Sequence, residues 1–173
     1  MYWAEIKEVD IANGTGVRVS LFVSGCRHQC SGCFNEIAWN FHYGQEFTQE
    51  TIDYILKLLS PSHIQGLSLL GGEPMEPSNQ EGVLPLLKAM KQMYPNKTVW
   101  CYSGYLLEDL LAGGRVHGQV TNELLSYIDI LVDGPFIEAE KNIRLKFRGS
   151  NNQRIIDMKK TLELKSIVLW EEK

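Results

Sequence analysis

The chain has 173 residues, of which 44% are hydrophobic and 22% charged, and its net charge is −4. This length and composition are typical of one globular domain over residues 1–173 that buries its core without disulfides. The slight acidity and the lack of long single-sign runs argue against a protein that binds nucleic acid mainly by electrostatics.

The N-terminal segment, MYWAEIKEVD, carries acids where a signal peptide would have a basic region and then an apolar one. No stretch reaches the ~18 consecutive apolar residues of a membrane span. We therefore expect a cytoplasmic protein without a membrane segment. In that compartment, clustered cysteines serve as metal ligands or catalytic thiols rather than as disulfides.

The first predicted elements alternate between strand and helix. Residues 17–25, VRVSLFVSG, are rich in β-branched and apolar side chains and predict a strand that ends at a glycine. Residues 47–60, FTQETIDYILKLLS, predict a helix capped by Thr48. Its apolar stripe consists of Ile52, Ile55, Leu56 and Leu59. Residues 66–74, GLSLLGGEP, predict a short strand that runs into a glycine pair.

The alternation continues to the C-terminus. Residues 81–95, EGVLPLLKAMKQMYP, predict a helix with Pro85 in its first turns. Residues 97–105, KTVWCYSGY, predict a third strand. The remaining predicted elements are short helices at 106–114 and 121–128 and strands at 129–136 and 165–173.

Strands separated by helical crossovers predict an α/β fold with a mostly parallel sheet and outer helices. Ligands of such sheets bind at the carboxyl ends of the strands. Three predicted strands end in unusual sequences, SGC, GGEP and YSGY. We therefore predict a functional site at the edge where these three ends meet.

The loop SGCRHQCSGCFN, residues 24–35, holds three of the four cysteines: Cys26, Cys30 and Cys33. Thiolates in the spacing C-x3-C-x2-C suit an iron–sulfur cluster or zinc. A structural zinc site requires a fourth Cys or His. His28 is confined within the loop, whereas His42 is far enough along the chain to reach. By spacing alone, zinc with His42 remains an alternative.

Side chains of a strand point alternately to its two faces, so Cys101 lies on the same face of the predicted strand as Val99 and Ser103. We predict that it is a small buried hydrophobe rather than a metal ligand. In the cysteine loop, Gly32 permits close approach of the chain to a ligand. Phe34 offers an apolar face, either to a planar ligand or to the protein interior.

The three-cysteine motif followed by Phe34 resembles that of the radical S-adenosylmethionine enzymes. The resemblance implies a truncated, open (partial) βα barrel and a 4Fe–4S cluster whose cysteine ligands are Cys26, Cys30 and Cys33. It implies that the fourth iron binds the amino and carboxylate groups of S-adenosylmethionine, and that no catalytic residue is needed beyond the cluster ligands. The contacts with S-adenosylmethionine that it implies are Gly32, Cys33, Phe34, Gly72 and Glu73, the last two in a segment similar to the family's glycine-rich motif.

A narrower resemblance covers about residues 9–154. The segments VDIANGTGVRVSLFVSGCRHQCSGCFN, WCYSGY, LVDGPF and RGSNNQR are similar to those of the activating proteins of anaerobic, class III ribonucleoside-triphosphate reductases. This implies that a reducing flavoprotein supplies an electron and that S-adenosylmethionine is cleaved to a 5′-deoxyadenosyl radical. The radical then takes hydrogen from a glycine of the reductase large subunit. Cys101 departs from the pattern.

Three alternatives share part of this pattern. An activase of another glycyl-radical enzyme and a small-molecule radical S-adenosylmethionine enzyme would use the same cluster. A zinc or iron–sulfur module without catalysis is a more distant alternative. Composition predicts that the basic segment RLKFRGSNNQR, residues 144–154, is a solvated surface, whereas the resemblance favours Arg148 and Asn152 as part of a pocket or partner surface. Asp133 is expected either to shape a turn or to contact a ligand.

Overall fold

The computed structural model describes residues 1–172. Seven strands form one sheet in the order β3-β1-β2-β4-β5-β6-β7. The strands are β1 (Tyr2–Asp10), β2 (Val17–Val23), β3 (Gln45–Glu46), β4 (Ile64–Gly71), β5 (Thr98–Tyr102), β6 (Ile130–Asp133) and β7 (Arg154–Asp157). The helices are α1 (Gln49–Leu59), α2 (Pro77–Met93), α3 (Leu107–Leu110), α4 (Thr121–Tyr127) and α5 (Met158–Leu164).

The predicted, mostly parallel sheet is confirmed at its centre, and the strands at its edges are antiparallel. Strands β2, β4, β5 and β6 are parallel to one another. Strand β1 pairs with β2 in the antiparallel direction, and β3 and β7 are also antiparallel to their neighbours. Within residues 1–172 the edge strands β3 and β7 do not pair, so the sheet is open.

All five helices contribute to a core on one face of the sheet, where β2, β4, β5 and β6 present alternate apolar residues such as Leu21, Leu69 and Leu131. On the opposite face, Trp100, Ile130 and Val132 form a smaller apolar cluster. A loop residue, Phe147, and a C-terminal residue, Trp170, cover that cluster. Helices therefore lie outside one face only, and the other face is free to form a cavity.

Helix α1 follows its prediction closely. Thr48 caps it, because its hydroxyl accepts the Thr51 N–H at 3.4 Å while the Thr51 hydroxyl accepts the Thr48 N–H at 3.3 Å. The four residues of the predicted stripe are all buried. Local chemistry thus determines both where this helix starts and which face it buries.

Helix α2 differs from its prediction, because it begins four residues earlier, at Pro77, and Pro85 lies in its interior rather than its first turns. Pro77 suits the first helical position, where the missing N–H has no helical acceptor. Pro85 is exposed, so water can solvate the carbonyl that its missing N–H leaves free.

The predicted C-terminal strand at 165–173 is wrong. The segment makes one isolated bridge, between Leu169 and Ile156, and Lys173 lies outside the described residues. The true last strand is β7, which precedes it. No helix of the described residues is long and apolar enough to cross a membrane.

Candidate functional site

The three predicted strand ends meet at one edge of the sheet. Val23, at the end of β2, pairs with Gly71 at the end of β4, and Leu69 of β4 pairs with Cys101 of β5. Because the three strands are parallel, the cysteine loop, the GGEP turn and the YSGY turn emerge side by side. The sequence predicted this convergence correctly.

A cavity of about 630 Å³ lies at this edge. Its volume is that of a pocket for a small molecule or cofactor. All the site residues named from the sequence line it: Cys26, Cys30, Gly32, Cys33, Phe34, Gly72 and Glu73. The structure thus brings together residues from two loops that are about forty positions apart.

The three thiols in the cavity are free rather than paired in disulfides. Burial raises the pKa of Cys26 to about 11, opposed by hydrogen bonds from the main-chain N–H groups of His28 and Gln29. Burial also raises the pKa of Cys30. The Asn35 N–H donates to the Cys33 sulfur at 3.4 Å. Soft thiols with main-chain donors aimed at their sulfurs are a donor set that suits an iron–sulfur cluster.

The three thiols line the cavity but do not form a ready-made site for a single metal ion. Among residues 1–172, no three side chains of His, Cys, Asp or Glu stand close enough together to hold a metal ion. Neutral thiols do not attract one another, and ligation requires the thiolate form. Binding of a metal or a cluster by these cysteines would therefore release protons from them.

Two glycines let the chain pass closely around the cavity. A Cβ on Gly72 would lie 2.7 Å from the carbonyl oxygen of Gly25 and 2.9 Å from that of Ala38. Gly32 has φ +71°, and a Cβ there would lie 2.9 Å from the carboxyl carbon of Glu138. Gly72 therefore permits contact between two main chains, and Gly32 permits a turn that other residues resist.

The Glu73 carboxylate is 1% exposed and accepts four hydrogen bonds. Its Oε1 accepts the Met75 N–H at 2.8 Å and the Ser103 hydroxyl at 2.9 Å. Its Oε2 accepts the Gly104 N–H at 2.7 Å and pairs with Nε2 of His28 at 3.0 Å. One buried side chain thus joins the cysteine loop, the GGEP turn and the YSGY turn.

A second buried carboxylate, Glu76, lies three residues further on. It accepts the Arg27 N–H at 2.9 Å and the Tyr105 hydroxyl at 3.2 Å, and it forms a salt bridge with the Arg27 guanidinium. The sequence did not predict Glu76, Arg27 or Tyr105 as site residues. The available signal was charge complementarity between Arg27-His28 in the cysteine loop and the two glutamates of GGEPME.

The segments DGPF and RGSNNQR pack together as one wall of the cavity. Asn152 donates from Nδ2 to the Pro135 carbonyl at 2.8 Å, and Gln153 donates from Nε2 to the Gly134 carbonyl at 3.0 Å. Arg148 lines the cavity. The basic segment is therefore partly a pocket wall, which corrects the prediction from composition that it is only a solvated surface.

Asp133 is buried and accepts hydrogen bonds from the Leu107 N–H at 2.7 Å and from Nε of Arg154 at 2.9 Å. Hydrogen bonds to the carboxylates of Asp133 and Glu108 raise the pKa of Arg154 above its usual range. Asp133 therefore fixes the start of α3 and the β7 strand, in keeping with the turn-shaping alternative.

The other ligand candidates lie elsewhere. Cys101 is 0% exposed in the core, as predicted, and burial raises its pKa well above the usual value. His42 does not line the cavity, and its ring packs edge-on against Tyr2 at 5.2 Å. The structure therefore gives no support to zinc with His42 as the fourth ligand.

Comparisons with known proteins agree with this site. Residues 12–156 match the model of a family described as a 4Fe-4S single cluster domain. Curated relatives of this chain carry the name anaerobic ribonucleoside-triphosphate reductase-activating protein. The Vibrio cholerae protein is 42% identical over 90% of this chain and 97% of its own length. The enterobacteria phage T4 protein is 41% identical over 90% and 93%, and the Escherichia coli K12 protein 39% over 88% and 96%.

Proposed function

Because the chain belongs to the family of anaerobic ribonucleoside-triphosphate reductase-activating proteins, which carries a 4Fe-4S single cluster domain, we propose that it installs a glycyl radical in that reductase. The observation that carries the proposal is the meeting of three free cysteines and two strand-end turns at one cavity. A 4Fe–4S cluster bound there would supply the electron for cleavage of S-adenosylmethionine to methionine and a 5′-deoxyadenosyl radical, and this radical would take a hydrogen atom from a glycine of the reductase.

Cys26, Cys30 and Cys33 are the proposed cluster ligands. They supply three soft sulfurs from one short loop, which leaves the fourth iron without a protein ligand. A catalytic metal site keeps such an open position, whereas a structural site fills it. A motif that supplies three cysteine sulfurs to a four-iron cluster supports binding of S-adenosylmethionine at that iron.

Gly32, Cys33 and Phe34, together with Gly72 and the main chain of Glu73, are the proposed contacts with S-adenosylmethionine. All line the cavity. The Gly72 carbonyl accepts no hydrogen bond from residues 1–172, so it is available to an ammonium group. The GGEP turn is therefore the proposed receiver of the methionyl end.

The mouth of the cavity supports docking of a protein substrate. Phe34 is 88% exposed and Ile143 is 91% exposed, and both line the cavity. Large apolar side chains at a cavity rim are typical of a surface that a partner covers. The proposed partner is the large subunit of the reductase, and a reducing flavoprotein is the proposed electron donor.

The remaining features of the proposal concern architecture and location. An open sheet with helices on one face and a cavity on the other supports a truncated, partial βα barrel of the radical S-adenosylmethionine type. The chain is proposed to act as a single domain over residues 1–173, in the cytoplasm. The cluster and the radical are the reactive centres, so the protein's own task is to bind, orient and exclude water.

Reconstitution under anaerobic conditions tests the cluster directly. We expect about four irons and four sulfides per chain, bound by three cysteines. The reduced protein should then convert S-adenosylmethionine to methionine and 5′-deoxyadenosine. Stoichiometric zinc without iron would contradict the proposal and favour a non-catalytic module. Cleavage without a glycyl radical in the reductase would instead favour another radical S-adenosylmethionine enzyme.

A further inference from the structure

Two of the three residues between the first and second cysteines each contact a different buried carboxylate. His28 pairs with Glu73, whose side chain is 1% exposed, and Arg27 pairs with Glu76, whose side chain is fully buried. Both glutamates belong to the segment that leads from β4 into α2. The cysteine loop is therefore tied to the neighbouring turn at two consecutive positions.

Other residues hold both partners of the contact between Glu73 and His28 in place. The carboxylate is fixed by the Met75 and Gly104 N–H groups and by the Ser103 hydroxyl. The His28 ring packs against the Tyr105 ring, with centroids 4.3 Å apart. The Glu73 N–H donates to the Gly25 carbonyl at 2.9 Å, just before the first cysteine. Motion of His28 would break contacts in both turns.

A carboxylate offers about four lone-pair sites, and four donors already occupy those of Glu73. A ligand ammonium could bind this side chain only by displacing one of them. The nearby Gly72 carbonyl has no such competitor within the described chain. The Glu73 carboxylate and the Gly72 carbonyl therefore differ in their capacity to accept a hydrogen bond from a ligand.

We infer that the Glu73 side chain is a positioning residue that holds the cysteine loop through His28. This assignment deepens the proposed function and rests on it for the identity of the cofactor. The contacts that hold the loop are independent of any cofactor. Glu76 supports the same loop through Arg27.

The first test uses the protein without a cluster. Hydrogen exchange of residues 24–34 is compared in the wild type, Glu73→Gln, His28→Ala and the control Glu81→Gln, an exposed glutamate of α2. The Cys26 N–H donates to Trp39 and the Arg27 N–H to Glu76, so both report loop opening. We expect exchange about tenfold faster in the first two variants and unchanged in the control. Unchanged exchange in His28→Ala would overturn the inference.

The second test uses cluster-loaded protein. We expect Glu73→Gln and His28→Ala to lose iron to a chelator roughly 10- to 100-fold faster than the wild type. We also expect both variants to change the electron paramagnetic resonance spectrum of the reduced cluster. The dissociation constant for S-adenosylmethionine, corrected for iron content, should stay within about threefold of the wild type. Tenfold weaker binding in Glu73→Gln with normal binding in His28→Ala would show that the carboxylate is a ligand, which overturns the inference.

Failure of the proposed function and failure of the inference about Glu73 give different experimental results. If the wild type binds no iron, the proposed function fails, but the exchange experiment still decides the role of Glu73. If Glu73→Gln does not fold, His28→Ala decides it alone, because that change removes only the imidazole and leaves the Gly104 N–H on the carboxylate. Thermal unfolding of each variant establishes which case applies.

Discussion

Replacing Gly72 by alanine tests whether the close contact between the two strand-end turns is required. The new Cβ would lie 2.7 Å and 2.9 Å from two main-chain carbonyl oxygens, those of Gly25 and Ala38. A main-chain oxygen cannot rotate away as a flexible side chain can. The chain must therefore move, which strains the hydrogen bond from the Gly72 N–H to the Val23 carbonyl, now 2.7 Å long.

Overpacking of this kind costs about 1–3 kcal/mol, and the rigid neighbours favour the upper half of that range. In a domain of this length, each kcal/mol lowers the melting temperature by about 2–4 °C. We therefore expect Gly72→Ala to melt roughly 4–12 °C below the wild type. Iron loading should fall too, because displacement of Gly25 moves the start of the cysteine loop.

The matched control is Gly118→Ala. A Cβ there would find its nearest neighbour, the Thr121 hydroxyl oxygen, at 3.8 Å, which is ordinary contact. An alanine in a compatible conformation stabilises a protein by about 0.4–1 kcal/mol, so this variant should melt at or slightly above the wild type. Thermal unfolding followed by circular dichroism measures both. Equal melting temperatures and equal iron content in wild type and Gly72→Ala would refute the reasoning.

Three further predictions address the ligands, the folded state and the partner surface. Alanine at Cys26, Cys30 or Cys33 should abolish cleavage of S-adenosylmethionine, whereas Cys101→Ala, in the apolar core, should retain it; equal loss in all four would make Cys101 functional. Burial alone would raise the pKa of Asp129, but hydrogen bonds from Lys91, Lys159 and the Val99 N–H outweigh burial and lower the pKa. The ionised Asp129 therefore stabilises the folded protein above about pH 3.8, and this contribution disappears as the pH falls through the lowered pKa. Asp129→Asn should therefore cost about 1–3 kcal/mol in urea unfolding at pH 7 and flatten the loss of stability in acid, while the exposed Asp53→Asn should do neither. Phe34→Ser and Ile143→Ser should leave stability within about 0.5 kcal/mol but weaken reductase activation, and Met93→Ser, exposed on another part of the surface, should leave activation unchanged.

The sequence was sufficient where local chemistry determines structure. An apolar run that ends in Gly25, a glycine pair after β4 and the turn after β5 each mark a strand end without knowledge of the rest. Thr48 likewise marks the start of α1. Parallel pairing then brings these ends together by a general property of α/β sheets. The location of the site therefore followed from a few local patterns.

The antiparallel edges could not be predicted in the same way. Strand β1 contains charged residues interleaved with apolar ones, and its pairing depends on β2 rather than on its own composition. The short strand β7 gains its place from long-range pairing with β6 and from the Arg154–Asp133 contact. Such pairing is a property of the assembled sheet, which is why the last strand was expected too late in the chain.

The anchoring of the cysteine loop was also beyond local patterns. Arg27 and His28 contact glutamates that are 49 and 45 positions away. Spacing within the loop identified the metal-ligand candidates but contains no information about what holds the loop. Glu73 and Glu76, in the segment between β4 and α2, can contact the cysteine loop only because β2 and β4 lie side by side. The candidate metal ligands could therefore be predicted from the sequence, whereas the contacts that hold the cysteine loop could not.

The most direct test of the proposed function is electron paramagnetic resonance of the reductase after activation. The cluster-loaded, reduced protein is incubated anaerobically with S-adenosylmethionine and the large subunit of an anaerobic ribonucleoside-triphosphate reductase. We predict a glycyl radical signal that requires S-adenosylmethionine and is absent with Cys30→Ala. A reductase that stays without a radical signal, although the wild-type protein holds its cluster and cleaves S-adenosylmethionine, would contradict the proposed function.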